Sequence, residues 1–134
     1  MKTINLAILF SGNGSNLENI YKKMQNAYIV VLPNKSSQNE IIMLNFPLAI
    51  SSNKSAFGIT RCANLGLKCE VIDYKKNKSD FFEKIIATLE SYDIDLVILA
   101  GFMKILPPTF NKKFCAINIH PSILPLVKGA LASA

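Results

Sequence analysis

Ile4-Asn5-Leu6-Ala7-Ile8-Leu9-Phe10 runs directly into Ser11-Gly12-Asn13-Gly14-Ser15-Asn16. Leu17, Ile20, Tyr21 and Met24 then share one face of a helix ending near Gln25. A short, nearly continuous apolar run suits a strand covered on both faces, as in a parallel sheet. The two glycines allow a tight turn from strand to helix. Together these pieces predict the first half of a βαβ unit. Met1-Lys2 and the apolar run faintly resemble a secretion signal, but Asn5 interrupts the run and no small-residue cleavage site follows.

The alternation continues outward from this start. Apolar runs at Tyr28–Leu32, Phe46–Ile50, Cys69–Ile72, Leu96–Ala100 and Ala116–Ile119 read as buried strands. Phe57–Leu65 reads as a helix closed by Gly66. Phe82, Ile85, Ile86 and Leu89 line another, with Ser79 or Asp80 as its N-cap. Strands and helices at this spacing predict an α/β fold with a twisted, mostly parallel sheet. The polar stretch within Asn34–Asn45 breaks the pattern and is expected to be an inserted loop with a short helix. No linker or repeat interrupts the chain, so residues 1–134 are expected to form a single domain. With 134 residues, 50% of them hydrophobic, the chain can bury about two-thirds of its unfolded surface without a disulfide or metal staple. That apolar content excludes disorder, and no run approaches the ~18 residues of a bilayer span.

Net charge is +6, from 15 Lys and Arg against 9 Asp and Glu, and nearly all the basic residues are Lys. Lys75, Lys76 and Lys78 are the only dense group, without interleaved aromatic residues. A composition bias explains this better than a nucleic-acid stripe. Cys62, Cys69 and Cys115 are odd in number and lack C-x-x-C spacing. Reduced thiols in a cytoplasmic protein, with no zinc site, fit that usage.

In an open α/β sheet, ligands bind beyond the carboxyl ends of the strands. Three such ends carry unusual residues. Ser11–Asn16 offers free N–H groups at a helix start, which favour a phosphate, and its Ser15 and Asn16 side chains can add hydrogen bonds. Its spacing is neither the dinucleotide fingerprint nor a Walker A loop, and a plain Gly-rich turn with an N-cap remains the alternative. Gly101-Phe102-Met103-Lys104-Ile105-Leu106-Pro107-Pro108 combines exposed main chain with Phe and Met that could cradle a flat heterocycle or belong to the core. Pro107 and Pro108 are expected to stop a regular helix there. Asn118 and His120, two apart in a strand, project to the same side. His120 is the only histidine, and an amide donor beside a His suits chemistry in which an oxyanion is stabilised and a proton moves. No nucleophile stands out, so direct attack by a substrate amine asks least of the protein.

Four pieces together resemble the phosphoribosylglycinamide formyltransferase family. They are Leu9–Leu17, Ser52-Asn53-Lys54-Ser55-Ala56-Phe57-Gly58, Leu99–Leu106 and Ile117-Asn118-Ile119-His120-Pro121-Ser122-Ile123-Leu124-Pro125. The last is shared, with variations, by methionyl-tRNA formyltransferases and formyltetrahydrofolate deformylases, and Ser-Gly-Asn-Gly-Ser-Asn selects the glycinamide family over the tRNA one. The resemblance implies a Rossmann-like sheet and formyl transfer from 10-formyltetrahydrofolate to glycinamide ribonucleotide in purine biosynthesis. Gly14, Ser15, Asn16 and Pro121 would then bind the ribonucleotide. Met103, Lys104, Ile105 and Leu106 would contact the pterin end of the folate, with Lys104 in place of the usual arginine. Asn118 would stabilise the oxyanion and His120 would shuttle the proton. No metal is implied, and the partners are small molecules rather than nucleic acid or membrane. The family also has an Asp that pairs with the His, in a loop beyond the matched pieces, whereas Asp95 is the last carboxylate here. The domain is therefore expected to be incomplete at its C-terminus, with turnover crippled by loss of that pairing. A catalytically inactive truncated remnant, or another folate-dependent formyltransferase or deformylase relative, is the alternative reading.

Overall fold

A computed structural model describes residues 2–31 and 39–119 of the protein. The described elements are β1 (Lys2–Phe10), α1 (Ser15–Met24), β2 (Tyr28–Val31), β3 (Glu40–Ser51), α2 (Gly58–Leu65), β4 (Cys69–Val71), α3 (Phe81–Ser91), β5 (Leu96–Leu99), α4 (Pro108–Lys113) and β6 (Cys115–Asn118). The expected α/β architecture is present. The strands form one sheet in the order β2-β3-β1-β5-β6, and β4 pairs the upper part of β3 beside β2. Every pairing is parallel except that of β2 with β3.

Strand alternation divides β1 between two cores. Leu6, Ile8 and Phe10 face α1 and α2 with Leu17, Ile20 and Cys62. Ala7 and Leu9 face α3 and α4 with Phe81, Ile85, Leu89 and Phe110. Successive strand residues point to opposite faces, so burying both faces produces the unbroken apolar run. In β3 the parity changes along the strand. Leu44 and Phe46 lie in the first core, as does Ala49, while Leu48 and Ile50 lie in the second. The cause is a bulge: Asn5 pairs Asn45, but Ala7 pairs Leu48. One extra residue in β3 flips every later side chain. Pro47 sits at this bulge, where a missing ladder donor is tolerated. The Phe46 N–H donates instead to Gln25 Oε1 at 2.8 Å. Asn5, which interrupts the first apolar run, donates through Nδ2 to Asp93 O and accepts from Asn45 Nδ2.

Three expectations need correction. The strand at Tyr28–Leu32 is not buried between helices, because Tyr28, Ile29, Val30 and Val31 of β2 are all exposed on an antiparallel edge. The stretch Asn34–Asn45 is not a loop with a short helix, at least from Glu40 onward. Glu40–Asn45 extends β3, with Ile41 to Met43 pairing β2 and Ile42 to Asn45 pairing β1; residues 34–38 lie outside the described residues. Alternation within Ile41–Leu44 is masked because both strands are apolar on both sides. Finally, Pro107 and Pro108 do not end helical structure. Pro108 is the first residue of α4, a position where a missing N–H costs nothing.

Gly66 caps α2 in the left-handed conformation, as expected. Asp80 precedes α3, though its side chain makes no capping bond. No described helix is long and apolar enough to cross a membrane.

Candidate active site

The C-terminal ends of β1, β5 and β6 meet around a cleft of about 340 Å³. Its walls are Gly12–Asn16 after β1, Ala100–Met103 after β5, and Asn118 and Ile119 at the end of β6. Parallel pairing puts these ends side by side, since Leu9 pairs Leu99 and Leu99 pairs Asn118. Two strand ends singled out in the sequence thus face the third, Asn118, across one opening. His120 and Pro121 lie outside the described residues.

The loop at Gly12–Asn16 is held from behind. Gly14 adopts φ 82° as the N-cap of α1, and no side chain caps the helix. The first intrahelical bond runs from Glu18 N–H to Gly14 O at 2.9 Å, so the N–H groups of Ser15, Asn16 and Leu17 have no partner within the helix. No Asp or Glu lines the cleft among the described residues. An anion there gains the helix dipole, worth roughly 0.3–1 kcal/mol at an exposed helix start, together with N–H donors.

Arg61 of α2 clamps this loop. Its Nε donates to Asn13 O at 2.8 Å, Nη2 to Asn13 Oδ1 at 2.8 Å, and Nη1 to Glu18 Oε1 at 3.0 Å. The guanidinium also lies 5.1 Å from the Phe57 ring centroid. Hydrogen bonds from Lys22 and Arg61 hold the Glu18 carboxyl below the usual range. Arg61 was not among the residues picked from the sequence. The available signal is that it is the chain's only arginine among lysines, and a three-way fork is a geometry that lysine lacks.

Asn16 is 7% exposed. Its Nδ2 donates to Ile119 O at 2.8 Å, and its buried Oδ1 has no partner among the described residues. An unpaired buried acceptor costs about 1–3 kcal/mol. Ser15 beside it is exposed.

Met103 and Lys104 separate this cleft from a second one of about 230 Å³, whose lining includes Ser11, Ser52, Asp73 and Tyr74. Ser11 is the hub of the partition. Its hydroxyl accepts from Met103 N–H at 3.0 Å and lies 2.7 Å from Ser52 Oγ. Phe102 packs towards the second core, stacked on Phe81 with ring centroids 6.4 Å apart. Leu106 joins the same core. Phe102 therefore anchors the segment and also lines the cleft, while Met103 and Ile105 are 77% and 92% exposed. Lys104 Nζ sits 3.8 Å over the Tyr74 ring. The four residues Met103–Leu106 thus occupy three different environments.

In the second cleft, Asp73 Oδ1 accepts the Lys54 N–H at 2.9 Å. That bond, reinforced by the Lys54 and Lys76 charges and a hydrogen bond from the Lys76 backbone, holds the Asp73 carboxyl below its ordinary range. A carboxylate with a lowered folded pKa stabilises the fold above its unfolded value of about 3.9 and loses that contribution as pH falls through the folded value. Asp73→Asn is therefore expected to be less stable than the parent at pH 7. The gap should begin to narrow as pH falls below about 3.9 and close once pH is below the lowered folded value. Urea midpoints at pH 7 and pH 3 check this, and equal differences at both would remove Asp73 as the source.

Comparison with known proteins identifies the family. Residues 4–134 match the family described as formyl transferase. The chain is 38% identical over 136 residues to the human trifunctional purine biosynthetic protein adenosine-3, covering 98% of this chain and 12% of that protein. It is 33% identical to phosphoribosylglycinamide formyltransferase of Haemophilus influenzae, covering 92% of this chain and 54% of the relative. The solved phosphoribosylglycinamide formyltransferase of Campylobacter jejuni superposes with a TM-score of 0.72 at 39% identity, over 92% of this chain and 61% of that one. The chain thus spans about half the length of the bacterial relative and far less of the trifunctional protein. Because the family match runs from the first strand through the cleft to residue 134, the chain belongs to the formyl transferase family.

Proposed function

We propose that the protein transfers a formyl group from 10-formyltetrahydrofolate to the amine of glycinamide ribonucleotide, a step of purine biosynthesis. The observation that carries this reading is the single cleft in which the N-terminus of α1 faces Asn118. The ribonucleotide phosphate would sit on the Gly14, Ser15 and Asn16 N–H groups. The exposed main chain and side chains of Met103–Ile105, with Leu106 at their base, would take the flat end of the folate.

Holding both substrates on fixed loops makes amine attack on the formyl carbon effectively unimolecular. Attack moves charge onto the formyl oxygen, and an Asn118 amide hydrogen stabilises it. The attacking nitrogen must then lose a proton and the departing folate nitrogen must gain one. His120 is assigned that transfer, because an imidazole titrates near neutral pH. This reading needs no metal, no nucleic acid and no membrane, and it places the protein in the cytoplasm.

The test is a formyl-transfer assay on purified protein with both substrates, alongside NMR titration with glycinamide ribonucleotide. Release of tetrahydrofolate that depends on the ribonucleotide, with movement of the Gly14, Ser15 and Asn16 amide signals, is the expected result. Unmoved loop signals at millimolar ligand would refute the phosphate assignment. Binding without transfer would favour a non-catalytic protein.

A further inference from the structure

Asn16 stands in the loop assigned to the phosphate, yet its side chain serves another part of the molecule. Its amide reaches across to Ile119, 103 positions later, and donates to that carbonyl at 2.8 Å from a side chain that is 7% exposed. The arrangement leaves Oδ1 buried and without a partner among the described residues, a local rule broken beside a candidate active site. The amide does not cap α1, and the exposed polar side chain of that turn is Ser15. What the amide does is hold the end of β6.

That end needs holding. β6 is the edge of the described sheet and pairs only β5. Its last ladder pair is Leu99 with Asn118, followed by one bond from Ile119 N–H to Leu99 O at 3.2 Å. Cys115, Ile117 and Asn118 are exposed. Such an end frays unless tied down. On the α1 side, Ile119 packs against the first core, and the hydrogen-bonded tie among the described residues is Asn16.

We infer that Asn16 is a positioning residue that fixes the end of β6, and with it Asn118, against the first turn of α1. The anion-binding loop and the oxyanion donor then keep one spacing, which preorganised electrostatic stabilisation requires. The inference rests on the catalytic reading of the cleft for its consequence, but not for its structural content.

NMR on the full chain tests the structural content without ligand. Through-bond coupling between Asn16 Nδ2 and the Ile119 carbonyl carbon is expected in the parent protein, and its absence overturns the proposal. In Asn16→Asp, which keeps the volume but removes the donor, amide exchange at Ile119, whose N–H is held by Leu99 O, should accelerate about tenfold while β1 and β3 stay protected. Asn16→Ala should behave alike, and unchanged exchange in both folded variants overturns the proposal.

Kinetics test the consequence. Asn16→Ala, which removes the donor without adding a charge beside the anion loop, is expected to lower kcat about tenfold with KM for glycinamide ribonucleotide within about twofold, the signature of a misplaced donor rather than a lost ligand. A raised KM at unchanged kcat would instead make Asn16 an anion ligand and overturn the positioning role. If the parent protein transfers no formyl group, the catalytic reading has failed, and the coupling and exchange measurements alone decide whether Asn16 positions β6.

Discussion

Asn118→Ala should reduce kcat for formyl transfer by about 10²–10³, roughly 2.7–4 kcal/mol of transition-state stabilisation, with little change in KM. The residue ends β6, is exposed, and lines the cleft opposite the N-terminus of α1. Its register opposite Leu99 puts it beside the turn at Gly101, where φ is 70°. A neutral amide donor gains most when charge develops on the formyl oxygen and little while the carbonyl is uncharged. Its removal should therefore lower kcat and kcat/KM together. Asn118→Asp is a sharper probe, because it keeps the shape and replaces the donor with a group that repels an oxyanion. Steady-state kinetics at saturating folate check both variants. A loss below tenfold in each would show that the oxyanion is held elsewhere.

The second large effect is expected at Gly14 and Gly58, which pack backbone against backbone behind the loop. A Cβ on Gly14 would lie 2.5 Å from Gly58 Cα and 3.2 Å from Arg61 Cδ, at a φ of 82° that disfavours any side chain. A Cβ on Gly58 would strike the Phe10 ring, with Cδ2 at 2.8 Å. Phe10 is fully buried in the first core and cannot swing away. Overpacking typically costs 1–3 kcal/mol and left-handed strain adds roughly 1–2, so Gly14→Ala should lose about 2–5 kcal/mol of stability. Gly58→Ala is expected to lose about 1–3 kcal/mol from the clash alone. Both should also weaken ribonucleotide binding, because Gly58 N–H donates to Gly12 O at 3.0 Å and thereby sets the loop. Urea unfolding and ligand titration of each variant check this. A loss of stability under about 0.5 kcal/mol, the scatter of neutral surface changes, would mean the two backbones can separate.

The gathering of the site was legible because its parts lie at strand ends. In a parallel sheet, strand ends point to one side, so Gly12–Asn16, Gly101–Met103 and Asn118 converge once each strand is recognised. The direction taken by individual side chains was not legible. Asn16 reads as a phosphate-loop residue, but its amide turns to Ile119. Phe102 and Met103 are neighbours with opposite fates, one anchored on Phe81 and the other exposed.

By itself, the sequence determined the α/β class, the six strands and three of the four helices, because burial on both sheet faces writes itself as short apolar runs between amphipathic segments. It also marked the loop after β1 and Asn118, which the structure brings to one cleft. Tertiary structure alone decided the antiparallel β2 edge, the continuation of β3 through Glu40–Asn45, the bulge at Pro47, the Arg61 clamp and the Asn16 tie. Each of these depends on partners distant along the chain, and a local pattern of residue types carries no information about which distant backbone group a side chain will meet.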